Sequence, residues 1–150
     1  MALCIYASPE VLEGGNLPKD YTCDGTGSTL PLSWNNVPAS TKSFAIIMSH
    51  IPNEKETAHW YLELYNIPSN VSSISKNNTN IGTNGGNSVN KNMAYAPPCS
   101  KGPGSKKYTY TVYALSDMLS ISGSITRDKL LSAMKNITLG SGELNVIYSR

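Results

Sequence analysis

The chain has 150 residues, 39% of them hydrophobic and only 15% charged, with a formal net charge of +2. That length fits a single domain over residues 1–150, with a core large enough to fold without staples. The charge is too small and the lysines too scattered for a nucleic-acid partner, and no stretch approaches the ~20 apolar residues of a membrane span. The opening Met-Ala-Leu-Cys-Ile-Tyr-Ala-Ser-Pro lacks the basic region and longer apolar core of a signal peptide, so a soluble, cytoplasmic protein is expected.

In chain order, residues 3–7 form a short apolar strand broken by Pro9. Residues 13–16 (Glu-Gly-Gly-Asn) read as a turn, and residues 17–27 as a long loop with Asp24-Gly25 at its tip. Residues 30–34 (Leu-Pro-Leu-Ser-Trp) suit a sheet margin, because Pro31 cannot donate to a ladder. Residues 43–49 make the most continuous apolar run, as expected of a strand covered on both faces. Residues 59–67 are a second long strand. Trp60, Leu62, Leu64 and Asn66 alternate there with Tyr61, Glu63, Tyr65 and Ile67.

Residues 71–92 are polar and Asn-rich, too long for a hairpin turn, and read as a flexible, irregular surface excursion. Pro97, Pro98, Gly102, Pro103 and Gly104 then make a stiff, kinked loop before a strand at 107–115. One helix is expected. Thr126 caps it, Asp128 suits its first turn, and Leu130, Leu131, Met134 and Ile137 form its apolar stripe. Gly140 and Gly142 end that region, and residues 144–148 form a closing strand. Strands joined by loops predict a mainly β fold, an antiparallel sandwich or barrel with one late α-helix.

Cys4, Cys23 and Cys99 show no Cys-x-x-Cys spacing. Buried free thiols are the leading reading in a reducing compartment, with a Cys23–Cys99 bridge as the alternative, since both residues sit in loops punctuated by Gly and Pro. The two histidines, His50 and His59, fit no metal motif, and no Gly-rich loop passes from a strand into a helix to cradle a nucleotide. No cofactor, metal or catalytic residue is therefore expected. Taken together, His50 ends one long strand and His59 starts the next. If the Pro98–Tyr108 loop lies at that end, imidazoles, lysine and a phenol converge on a pocket suited to phosphate or carboxylate.

The order of Tyr21-Thr-Cys-Asp-Gly, Pro31-Leu-Ser-Trp, Val37-Pro, His59-Trp, Tyr65-Asn-Ile-Pro, Tyr95-Ala-Pro-Pro-Cys, Tyr108, Tyr113-Ala-Leu and Tyr148-Ser-Arg resembles the phosphatidylethanolamine-binding protein (PEBP) family, in its bacterial-type Raf-kinase-inhibitor-like branch. The resemblance covers nearly the whole chain. It implies a Greek-key antiparallel β-sandwich with a small anion pocket, filled in relatives by phosphate-like groups. By position, His59, Pro98, Cys99 and Tyr108 match the family's pocket residues, and only Cys99 of the Pro-Cys pair has an amide to give. Ser49-His-Ile-Pro stands where the family has an Asp-Pro-Asp-Ala-Pro loop, so the pocket acid is missing and His50 takes its neighbourhood. Lys106 stands where a second pocket histidine is usual.

Both changes raise positive charge and remove proton-exchanging groups, which favours binding over acid–base chemistry. The expected function is a non-enzymatic, regulatory binding module for phosphate-bearing ligands, either a phospholipid headgroup or another phosphorylated molecule, held by His50, His59, Pro98, Cys99, Lys106 and Tyr108. The alternatives are a protein-interaction module that inhibits a kinase or protease through residues 71–92, and a hydrolase using His50 or His59 as base.

Overall fold

The computed structural model describes residues 3–6, 10–50, 59–99, 104–123 and 125–149, with backbone alone at Cys4 and Tyr6. The sequence expectations for residues 51–58 and 100–103 lie outside the described residues. In chain order the elements are β1 (Cys4–Tyr6), a 3-10 turn (Lys19–Tyr21), β2 (Leu32–Asn35), β3 (Ser43–His50), β4 (His59–Pro68), β5 (Ser73–Ile74), β6 (Thr83–Asn84), β7 (Ser105–Leu115), α1 (Arg127–Met134) and β8 (Thr138–Ser149).

The strands form two sheets, in the orders β1-β2-β5 and β6-β4-β3-β7-β8, and the pairings between named strands are antiparallel. After β4 the chain visits the smaller sheet at β5 and returns to place β7 beside β3, the non-consecutive return of a Greek-key sandwich. The mainly β expectation with one late helix holds.

Alternation along β3 explains its unbroken apolar run. Phe44, Ile46 and Met48 face the sandwich core with Leu62, Leu64, Tyr110, Val112 and, from the smaller sheet, Leu32 and Trp34. The Trp34 and Phe44 rings lie 5.3 Å apart and hold the two sheets together. Ala45 and Ile47 point the other way and join Tyr65 and Leu115 beneath Leu130 and Met134 of α1. Burying such side chains contributes roughly 1.5–3 kcal/mol each for the larger ones. The helix starts as expected: the Thr126 hydroxyl accepts from the Lys129 amide, and Leu130 and Met134, four apart, are its buried residues.

Two expectations change. Strand β8 runs for 12 residues, and Gly140 and Gly142 lie inside it instead of ahead of it. At Gly142 a Cβ would run into the Leu3 carbonyl oxygen, so this glycine marks a close backbone approach and not a strand boundary. The 71–92 stretch, expected as a flexible excursion, supplies the two-residue edge strands β5 and β6. Its asparagines cross-link it. Asn87 is 2% exposed, donates from Nδ2 to the carbonyls of Asn92 and Ala94, and accepts at Oδ1 from the amides of Val89 and Asn90. Among the described residues no helix is long and apolar enough to cross a membrane.

Candidate anion site

The ladder places four strand ends together. His50 of β3 is opposite His59 of β4, and Ser105 of β7 is opposite Ser149 of β8. Ser49 pairs with Thr109, which brings the end of β3 beside Tyr108. The convergence expected of His50, His59 and Tyr108 is therefore a consequence of register.

Ring packing sets the geometry within that end. The His50 ring lies 5.3 Å from Tyr108 and 6.5 Å from His59, and the two imidazoles are nearly parallel at 12°. Tyr108 is 1% exposed and packs edge-on to Tyr61 at 5.4 Å and beside Tyr148 at 6.2 Å. The Tyr108 and Tyr61 hydroxyls share a hydrogen bond. Burial, followed by the neighbouring phenols of Tyr61 and Tyr148, pushes the Tyr108 phenol up, so it stays a neutral hydrogen-bonding group at physiological pH.

His50 Nδ1 lies 2.8 Å from the Lys107 carbonyl oxygen. A carbonyl can only accept, so Nδ1 carries the proton and donates. That bond fixes the ring and makes Nε2 an acceptor in the neutral imidazole and a donor in the charged one. Lys106 stands opposite Tyr148 in the β7–β8 ladder and two residues from Tyr108, so all three share one face of the sheet. His50 and Lys106 are half-buried and His59 is exposed, so the cluster opens to solvent.

The floor of the cluster comes from two loops. Tyr148 donates its hydroxyl to Asp24 Oδ2. The next residue back, Cys23, is joined to Cys99 by a disulfide with a Cα–Cα distance of 5.2 Å. The Cys23 amide also donates to the Pro98 carbonyl at 3.0 Å. The leading expectation of free thiols is thereby corrected for Cys23 and Cys99: both are exposed and covalently paired. The compartment argument favoured thiols, but the two loops meet closely enough for the bridge.

Asp24, Tyr148 and Tyr61 are thus the cluster members not assigned from sequence. A signal for Asp24 existed, since a Cys23–Cys99 bridge necessarily draws Asp24 toward Pro98. Tyr148 required the β8 register. Tyr148 and Asp24 also line a cleft of about 650 Å3 together with Asn16, Leu17, Lys19, Ile147 and Ser149, so a second lysine faces the space beside the cluster. Among the described residues, no group of three or more His, Cys, Asp or Glu side chains could hold a metal ion.

A two-sheet antiparallel sandwich with a histidine–tyrosine cluster at the open strand ends is the class of protein this fold and site define. The phosphatidylethanolamine-binding protein family model matches residues 7–149, and the chain belongs to that family. It is 32% identical over 143 residues to the UPF0098 protein of Methanothermobacter thermautotrophicus, covering 91% of this chain and 92% of that protein. It is also 32% identical over 142 residues to the UPF0098 protein of Chlamydia muridarum, covering 91% and 93%. Among solved structures it is similar to a phosphatidylethanolamine-binding protein homologue from Chlamydia trachomatis, with a TM-score of 0.89, 27% identity, and coverage of 99% of this chain and 98% of that one. YbcL of E. coli shares the fold, with a TM-score of 0.88 at 19% identity over 100% of this chain and 99% of that one.

Proposed function

We propose that this protein is a non-enzymatic binding module whose pocket takes a small phosphate-bearing ligand, a phospholipid headgroup or another phosphorylated molecule, in a regulatory role in the cytoplasm. The observation that supports this best is the meeting of His50, His59, Lys106 and Tyr108 at one solvent-open end of the sheet. Two imidazoles and an ammonium can supply cationic donors, and each charge-assisted bond to phosphate contributes about 1.5–3 kcal/mol. The Pro98–Cys99 segment borders the same place through the disulfide and the Cys23–Pro98 bond. His50 is held by the main-chain carbonyl of Lys107, which supports a fixed binding group.

Titration with inorganic phosphate and with phosphoethanolamine, followed by NMR, tests the reading. Saturable shifts of the His50 and His59 ring signals and of the Lys106 side chain are expected. No shift at millimolar ligand would overturn it, and turnover of a phosphoester lost in a His50→Ala, His59→Ala double variant would favour the hydrolase instead.

A second reading has its own observation. Val89 and Met93 are large apolar side chains left 59% and 46% exposed on the turn that Asn87 pins from within. Ordered, exposed apolar groups suit contact with a protein, either a kinase or a protease held inhibited. Loss of a pulled-down partner on Val89→Ser, Met93→Ser substitution, with phosphate binding intact, would support that role.

A further inference from the structure

We propose that the Cys23–Cys99 disulfide is a reversible redox clamp on this site: oxidised, it holds Asp24 against Tyr148, and reduced, it releases the loop carrying Asp24 and alters the pocket. The proposal rests on the reading of the cluster as a ligand pocket and adds its regulation.

The position of the bond makes the case. It joins residues 76 apart in sequence, and each cysteine adjoins a group at the cluster. Asp24 follows Cys23 and accepts from Tyr148, which packs on Tyr108, which packs on His50. On the other side, Pro98 precedes Cys99 and accepts from the Cys23 amide. A continuous chain of contacts therefore runs from the disulfide to the imidazole.

The loop itself is held mainly by local bonds. Thr22 to Lys19, Gly25 to Thr22 and Ser28 to Asp20 close turns within the loop. The Tyr95 hydroxyl reaches the carbonyls of Tyr21 and Ser28 at 3.3 and 3.4 Å, at the ends of the segment and not at Asp24. Tyr21 and Thr22, buried just ahead of Cys23, anchor the start of the loop, and the disulfide with the Cys23–Pro98 bond ties the residues that follow to the 95–99 segment. The sheets have their own core and do not depend on the disulfide.

Exposure of both cysteines makes the bond reachable. A thiolate of a dithiol reductant attacks one Sγ, forming a mixed disulfide and expelling the other cysteine as a thiolate. The reductant's second thiol then displaces the first cysteine. The S–S bond is cleaved with two electrons, the two cysteines leave as thiols after protonation, and the reductant leaves as its own disulfide. The same exchange in reverse restores the clamp. Disulfides of cytoplasmic proteins are usually transient and redox-sensing, which is the behaviour such an exposed bond would show there.

The test compares the oxidised protein, the dithiothreitol-reduced protein and a Cys23→Ala, Cys99→Ala variant by NMR, reading the Tyr148 and His50 ring signals and then the affinity for inorganic phosphate. The expected result is that core signals such as Val112 stay in place, the Tyr148 and His50 signals move alike in the reduced and variant proteins, and phosphate affinity changes at least fivefold. Unchanged ring signals and affinity on reduction would overturn the clamp, and so would reduction that unfolds the sheets, since the bond would then be structural alone. If the oxidised protein binds no phosphate, the ligand-pocket reading fails, while the ring signals still decide whether the disulfide positions the cluster.

Discussion

The five-stranded sheet carries polar groups in two places, and the two are treated in opposite ways. At the open strand ends, His50, Tyr108, Tyr148 and Asp24 are tied to one another or to the main chain, and of these His50 and Asp24 reach solvent. In the middle of the sheet's other face, Glu63 is 1% exposed, and neither of its carboxylate oxygens has a hydrogen-bond partner. Gly85 lies against it, and a Cβ at Gly85 would collide with the Glu63 carboxylate and crowd Ile125, at the approach to α1. A buried group without partners costs stability. A partnered group at an opening costs little and can exchange its partners for a ligand. The contrast separates the proposed binding cluster from a core carboxyl whose burial is offset only in part by the Arg127 charge and the Gly86 amide.

Glu63 offers the sharpest way to break that contrast. Burial pushes its carboxyl up to about 8, although the Arg127 charge and the Gly86 amide pull it down. The folded state therefore holds a proton that the unfolded state, with its carboxyl near 4.5, releases. The stabilising effect of that proton is complete below pH 4.5, declines as pH rises, and is gone above about 8. A Glu63→Gln variant should lose this slope. It should unfold in urea at pH 8 with about 2–4 kcal/mol more stability than the parent and show little gain at pH 4. Equal stability across the range would show that the carboxylate is satisfied after all.

The open end should respond less in stability and more in binding. Removing the Cys23–Cys99 bond, which closes a long loop, should lower stability by about 2–4 kcal/mol in denaturant unfolding while the far-ultraviolet spectrum stays that of the parent. Tyr148→Phe deletes only the hydroxyl donated to Asp24, so a loss of about 1 kcal/mol is expected, with a measurable change in phosphate affinity. His59→Ala should be nearly neutral for folding, because the side chain is exposed, and should weaken phosphate binding several-fold by calorimetry. If His59→Ala changed stability and left binding alone, the two regions would have been assigned the wrong way round.

How much was legible follows the same divide. The unbroken apolar run over 43–49 and the alternation over 59–67 and 107–115 located β3, β4 and β7, and the Thr126 cap with the Leu130–Met134 spacing located α1, because core packing imposes those patterns directly. The two glycines of β8 looked like punctuation. For Gly142 the reason is tertiary, the approach of Leu3, and no local rule carries it. At the site, His50, His59 and Tyr108 were legible from strand ends and family likeness. Tyr148 was not, because its partner lies 124 residues away in sequence, and Asp24 was reachable only through the Cys23–Cys99 alternative. The disulfide was underrated for a similar reason: the expectation came from the compartment, while the bond depends on how two loops meet.

The central claim is that the open strand ends hold a phosphate-bearing group. The most direct measurement is a crystal structure grown with phosphoethanolamine. Density for its phosphate between His50, His59, Lys106 and Tyr108 is the result expected; an empty cluster at saturating ligand, or a phosphate bound elsewhere, would contradict it.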